Sequence, residues 1–373
     1  MKKTLAAVAV LGAFASSAFA ADVTLYGRID TGLYFNDWER TPQVGDKTDG
    51  TDWSMKSGNS TTSRVGIKGS EEISDNLTVG FVLETKLLGD TGEAFADGFD
   101  RESTLWVQSD FGTLYAGRIN SIWSDGGSNN LWANYVPFTT GNSVGMGTTF
   151  MQIGGRTSNR LSYRSPTFAG FTVYAEYTFG DDGNENKTTS DRPASIAVNY
   201  ANGGFGAAVA FQYVNENTGL AAGDPEDEYD VGLGLSYDFG VAKVLFGANY
   251  YQNANKVGSV VGAGSDYMLD MTNASKSSFD ELKGYAVALG AQVPAWGGKW
   301  TVGVNYTDGE DDATGGTLEY TGYNGAVMYE YPLSKRTNVY GGVGYTKVDA
   351  DGENFDRMEY ESTTAMLGMV HKF

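Results

Sequence analysis

The sequence predicts an all-β chain, a transmembrane antiparallel β-barrel of sixteen strands. Three observations predict it. Apolar and polar residues alternate with period two along most of the chain after Ala20, so each segment has one face suited to lipid and one suited to water. No run of 18 or more apolar residues follows Ala20, which excludes helical spans, because those need about 20 such residues. The alternating segments are joined by short and long connections in turn, the rhythm of a barrel with turns on one side of a membrane and loops on the other.

Residues 1–20 stand apart. Lys2 and Lys3 form a basic start, 5–14 is a short apolar core, and Ala18-Phe19-Ala20 offers small residues where a signal peptidase reads. This is a secretory signal, expected to be cut after Ala20, leaving 21–373 as a single barrel domain. The whole chain has 46 acidic and 26 basic residues, a formal charge of -20, and losing the two lysines makes it -22.

The first predicted strand, 22–35, shows the pattern best. Val23, Leu25, Gly27, Ile29 and Leu33 share one face; Tyr26, Arg28 and Asp30 share the other. Further strands follow at 61–70, 77–88, 101–109, 112–120, 159–165 and 170–179. The second half is richer in small residues and supplies 194–201, 206–216, 229–238, 241–252, 282–292, 299–308, 321–331, 337–347 and 361–373. Short connections fall at 71–76, 110–111, 166–169, 202–204, 239–240, 294–298 and 332–336. Long ones fall at 36–60, 90–100, 121–158, 181–193, 217–228, 253–281, 309–320 and 348–360. Tyrosines near predicted strand ends, among them Tyr26, Tyr34, Tyr115, Tyr237, Tyr306 and Tyr345, suit the water–lipid boundary.

Composition closes other routes. With no cysteine and one histidine there is no disulfide framework, thiolate site or histidine cluster. An acidic chain is a poor partner for nucleic acid. Asp349-Ala-Asp351-Gly-Glu353 starts like a calcium loop, but Asn354 and Tyr360 stand where that loop needs glycine and glutamate. Neither cofactor nor metal site is expected, beyond loose divalent binding by acidic outer loops, and no enzyme activity is expected.

The chain resembles the Gram-negative outer-membrane general porins. The resemblance is carried by Asp22-Val23-Thr24-Leu25-Tyr26-Gly27-Arg28-Ile29-Asp30, by Ser63-Arg64-Val65-Gly66-Ile67-Lys68-Gly69-Ser70-Glu71-Glu72 and by Phe111-Gly112-Thr113-Leu114-Tyr115-Ala116-Gly117-Arg118. The terminal Phe373 is similar to the family's assembly signal. The likeness covers essentially the whole mature chain. It implies a homotrimer in the cell outer membrane, each subunit a passive pore for ions and small hydrophilic solutes. Implied partners are outer-membrane lipid, lipopolysaccharide and the barrel-assembly machinery. It also implies that the third external loop, here about 121–159, folds into the pore and narrows it.

The inward faces of the early strands collect Arg28, Arg64, Lys68, Arg118, Arg160 and Arg164. The resemblance assigns Arg28, Arg64, Arg118 and Arg160 to a basic ladder facing the loop, with Lys68 and Arg164 nearer the periplasmic mouth. The bland reading of each is a structural salt bridge to Asp30, Glu71 or Glu84. The loop departs from the acidic pattern of cation-preferring members. Its one acid is Asp125, and its other notable residues are Trp123, Trp132, Tyr135, Phe138 and Arg156. A basic narrow point favours anions and acidic outer loops favour cations; the field is strongest where the pore is narrowest, so the expected preference is for anions. The alternative is a substrate-specific sugar channel, which needs an aromatic slide starting at Trp123, Trp132 and Tyr135.

Overall fold

The computed structural model describes residues 22–42, 46–95, 97–124, 126–139, 142–145, 154–180, 190–215, 226–254, 261–262, 269–270, 282–311, 317–352 and 355–373. In chain order the strands are β1 (Thr24–Thr41), β2 (Thr48–Ser57), β3 (Arg64–Ser74), β4 (Leu77–Leu88), β5 (Glu93–Ala94), β6 (Glu102–Ser109) and β7 (Gly112–Asn120). After a single turn of 3-10 helix, Trp132–Asn134, come β8 (Arg156–Arg164), β9 (Phe171–Thr178), β10 (Arg192–Asn202), β11 (Phe205–Asn215), β12 (Glu228–Asp238) and β13 (Lys243–Ala254). The remainder are β14 (Val261–Gly262), β15 (Leu269–Asp270), β16 (Leu282–Ala295), β17 (Gly298–Asp311), β18 (Leu318–Pro332), β19 (Thr337–Gly352) and β20 (Phe355–Lys372).

Sixteen of these are staves of one closed antiparallel barrel. Each pairs with the next stave in sequence, and β1 closes the ring on β20 from Arg28↔Lys372 to Thr41↔Glu359. Phe373 finishes the seam: its N–H donates to the Gly27 carbonyl at 3.1 Å and the Gly27 N–H returns a bond of 3.1 Å. The Phe373 ring lies where a side chain on Gly27 would stand, 2.5 Å from the position of its Cβ. The missing side chain at Gly27 is therefore the socket for the terminal ring.

The alternation sorts as expected. Leu25, Leu33, Ile196, Val209, Leu289, Val304, Val343 and Leu367 are exposed on the outer wall, while Asp30, Glu84, Thr104, Ser162, Gln212, Asn249 and Asn324 are buried inside. A continuous apolar outside over a polar inside inverts a soluble protein and suits a bilayer. Two aromatic belts edge it. Towards the short turns lie Phe171 and Tyr200, Tyr237 and Phe239, and Trp300 and Tyr329, with ring centroids 4.7, 4.5 and 4.8 Å apart. Towards the loops lie Tyr285 with Tyr306 and Tyr323 with Tyr345. Tyr26, Tyr34 and Tyr115 belong to neither belt: Tyr26 bonds Glu84, Tyr34 lies under Lys56, and Tyr115 is buried.

Several strands outrun their expected limits: β3 and β16 run into the short turns, to Ser74 and Ala295, and others run further on the loop side. β1 continues to Thr41 and pairs with β2, inside the predicted loop 36–60. There the pairing rests on polar contacts such as Trp38 Nε1 to Asp52 at 2.9 Å and Thr51 to Asp37 at 2.7 Å. Both faces of such an extension meet water, so no alternation marks it. β19 and β20 run on as well, their ladder reaching Gly352↔Phe355 across most of the predicted loop 348–360, and there Val348, Ala350 and Met358 are buried in one hydrophobic cluster.

The constricted lumen as candidate functional site

The described residues of the connection between β7 and β8 (within 121–155) turn into the barrel instead of away from it. The root of this loop is tied to the wall by Glu176 of β9. That carboxylate accepts Ser121 Oγ at 2.6 Å and the Ile122 N–H at 3.1 Å. Trp123 and Trp132 then lie against each other, centroids 5.6 Å apart, with Tyr135 beyond. All three are at most 2% exposed. Burial pushes the Tyr135 hydroxyl up to about 12, and it donates to Asn199 Oδ1 of β10.

What the loop packs against explains part of the glycine content of the second half. A Cβ on Gly232 of β12 would stand 2.5 Å from Trp123, and one on Gly234 2.4 Å from Tyr135. Pro137 fills the space over Gly290 of β16 and Gly303 of β17, and Val144 that over Gly342 and Gly344 of β19. Real Cβ contacts are not so short, so these bare positions form a track in which the loop is seated. Trp123, Trp132 and Tyr135 face that track and not the open lumen, so they build no aromatic slide.

Opposite the loop stands the wall of β1, β3, β4, β6, β7 and the start of β8. Glu84 of β4 is its hub, accepting Arg101 Nε at 2.8 Å, Arg64 Nη1 at 3.5 Å and the Tyr26 hydroxyl at 3.1 Å. Arg118 donates to the Asp100 carbonyl at 2.6 Å and to Ser158 Oγ at 3.1 Å. Arg156 donates to the Arg101 carbonyl at 2.9 Å, and Arg28 to Thr61 Oγ1 at 2.9 Å. Glu102 accepts the Ser128 N–H of the loop at 3.1 Å. The register adds a row of like charges: Lys372, Arg28, Arg64 and Lys86 are direct cross-strand neighbours over β20, β1, β3 and β4. Like charges directly opposite destabilise a sheet. Such a row marks a wall built for electrostatics and not for stability.

The sequence-named residues divide accordingly. Arg28, Arg64 and Arg118 share this wall. Arg156, expected in the loop, is the first residue of β8 and joins the same wall. Arg160 does not line the open lumen. It is 2% exposed, bonded to Thr178 Oγ1 at 3.1 Å and 3.9 Å from Glu176, so it secures the loop root. Arg164 ends β8 beside the short turn, and Lys68 is exposed with its ammonium 5.3 Å from the Tyr26 ring centroid. Asp125 lies outside the described residues, as do 146–153 of the loop and the leader 1–20. Sequence reasoning missed Arg101: alternation counted from 101 puts it on the lipid face. The strand begins only at Glu102, so the alternation does not govern it. The described residues of the loop between β7 and β8 carry no charged side chain. Among the described residues no group of three or more histidine, aspartate or glutamate side chains is placed to hold a metal ion.

Comparison with known proteins agrees with this architecture. The family model described as Gram-negative porin matches residues 6–351. An outer membrane porin of Bordetella pertussis is 30% identical, covering 100% of both chains. Outer membrane porin protein 32 of Delftia acidovorans is 28% identical over 93% of this chain and 90% of its own. Among solved structures, an anion-selective porin from Comamonas acidovorans superposes with a TM-score of 0.67 at 24% identity, covering 95% of this chain and 100% of that one. A barrel closed on itself, a loop seated in its lumen and a match along nearly the whole chain place this protein in the Gram-negative porin family of the outer membrane.

Proposed function

We propose that this porin, a passive outer-membrane channel for ions and small hydrophilic solutes, has a pore that prefers anions. One observation carries the reading: five guanidinium groups, those of Arg28, Arg64, Arg101, Arg118 and Arg156, share one wall with four carboxylates, those of Asp30, Glu84, Asp100 and Glu102. The described part of the facing loop adds no charge of either sign. An excess of fixed positive charge at the narrow point raises the local anion concentration and repels cations. The Comamonas acidovorans porin of similar fold is anion-selective by name, which supports the same reading here.

We read the working unit as a homotrimer, in line with the trimer form solved for a Vibrio cholerae outer membrane protein of similar fold. In this reading the Phe373 end serves recognition by the assembly machinery, and the acidic outer loops meet lipopolysaccharide through loosely held divalent cations. The test of preference is the reversal potential of the mature protein in a planar bilayer under a KCl gradient. A potential of the sign set by chloride is expected. A potential near zero or of the potassium sign overturns the anion reading. Block of the current by millimolar sugar would instead favour a substrate-specific channel.

A further inference from the structure

The barrel contains a second inward element besides the loop. β1 pairs with β3 only from Thr24 to Arg28, and with β2 only from Thr31 to Arg40. Between those ladders, residues 58–63 leave the sheet opposite just two residues of β1, Ile29 and Asp30. A register correction needs one extra residue; this segment has several, and they project into the lumen.

Asp30 holds the segment. It is fully buried, and its Oδ2 accepts the N–H groups of Ser60 at 2.8 Å and Thr61 at 2.7 Å. Its Oδ1 accepts the Tyr340 hydroxyl from β19. Its own N–H donates to Ser63 Oγ at 2.9 Å, and its carbonyl accepts the Gly58 N–H at 2.9 Å. The segment so fixed makes two further bonds. Thr61 Oγ1 takes the Arg28 guanidinium, and the buried Asn59 carbonyl takes the Ser143 N–H of the inserted loop at 2.7 Å. Lys56 Nζ reaches Ser143 Oγ from the same side at 3.1 Å. Beyond Ser143 the loop is met from the far wall, where Asn324 and Asn305 donate to the carbonyls of Val144 and Gly145, each at 3.3 Å.

We propose that residues 58–63 are a latch that positions the constriction: pinned by the buried carboxylate of Asp30, they clasp the inserted loop at Ser143 and aim Arg28 from the same turn. The distance between the loop and the first arginine of the basic wall is then set by one buried acid. This deepens the anion-channel reading with a positioning residue, and it makes a prediction opposite in sign to simple charge counting. Removing a negative charge from the wall should by charge alone increase anion preference. If Asp30 is the pin, its removal frees Arg28 and the loop, and preference falls.

The experiment compares parent, Asp30→Ala and Tyr340→Phe in planar bilayers under a KCl gradient, after a heat-modifiable gel shift has shown each barrel closed. Tyr340→Phe deletes one hydroxyl at almost constant volume and serves if Asp30→Ala fails to fold. The expected result is open-channel current noise raised several-fold and a chloride-to-potassium permeability ratio reduced about twofold. Because the chain has no cysteine, Asn59→Cys with Ser143→Cys gives a clean crosslink. The backbone bond between those residues brings their Cα atoms into about the 4.4–6.8 Å span a disulfide needs. Oxidation of this pair in the Tyr340→Phe background is expected to return noise to the parental level. Parental noise and selectivity in both single variants, greater anion preference in Asp30→Ala, or noise that oxidation leaves unchanged would each overturn the latch. The reversal potential of the unaltered protein tests the anion reading by itself, so the two failures are distinguishable.

Discussion

Glu84→Gln tests the electrostatic account of the basic wall. The carboxylate sits under the guanidinium layer with its side chain 8% exposed, between Arg101 at 2.8 Å and Arg64 at 3.5 Å. Glutamine keeps the shape and one accepting oxygen, so the principal change is one unit of charge: five cations then face three acids instead of four. Two unit charges about 8 Å apart in water interact by about 0.5 kcal/mol, and a screening length of about 10 Å at 0.1 M salt roughly halves this. The effect is opposite for chloride and potassium, so their permeability ratio changes by about 0.5–1 kcal/mol, or about two- to fivefold. Reversal potentials for parent and variant, taken at mean salt of 0.1 M and 1 M, read it directly. Anion preference should rise at the lower salt. At the higher, where the screening length is about 3 Å, the difference should nearly vanish. An unchanged or more cation-preferring variant at low salt would refute the reasoning. A difference that survives 1 M salt would show that geometry, not charge, had been altered.

Three other perturbations follow from the packing. Gly232→Val places its Cβ 2.5 Å from Trp123 and 2.9 Å from Trp132, which unseats the loop toward the lumen; the barrel should still close, with a lower unitary conductance in bilayers. Glu176→Ala leaves Ser121 Oγ and the Ile122 N–H without their acceptor and the buried Arg160 without its carboxylate partner. Breaking a buried ion pair costs about 3–5 kcal/mol, so the loop root should loosen, giving noisier and larger current steps. Deleting Phe373 removes both 3.1 Å bonds to Gly27 and the ring over it, and should slow closure of the barrel in a refolding time course followed by heat-modifiable mobility.

The staves were legible because a barrel wall has two different solvents, and each residue of Leu25, Tyr26 and Gly27 reports which one it meets. That signal stops at the membrane edge. β2 is a strand by pairing alone, and the outer ends of β19 and β20 bury their apolar Val348, Ala350 and Met358 in a cluster with Trp132 instead of turning them to lipid. Arg28, Arg64 and Arg118 were found because each is still paired within a ladder, if only as its terminal pair, so parity reaches them. Arg101 sits one residue before its ladder, and parity misplaced it. Arg160 is inward by parity, yet whether an inward residue meets water depends on what the loop covers, which no local pattern encodes. The glycine track and the Asp30 latch were hidden for the same reason. Each is a contact between segments far apart in sequence, 109 residues for Gly232 and Trp123 and 84 for Asn59 and Ser143.

Charge and shape are divided between the two walls of this constriction. The cations, apart from Arg101 just before β6, belong to strands whose backbone is fixed by the barrel's own ladders, so their spacing does not depend on the loop, Arg28 excepted. The loop contributes bulk: in its described part it is neutral, with its aromatic residues turned to the glycine track and asparagine, serine and threonine elsewhere. With Asp125 as its one acid, the loop adds little field of its own, so the acidic residues of the outer loops and the basic wall act in series along the pore more than across it. Charges on exposed outer loops are screened within about 10 Å at 0.1 M salt, while the wall acts where the passing ion is close. Substitutions in the loop should therefore alter conductance and size limit, and substitutions in the wall should alter ion preference. Arg28 is the point where the two meet, because its guanidinium is aimed by the same turn that clasps Ser143.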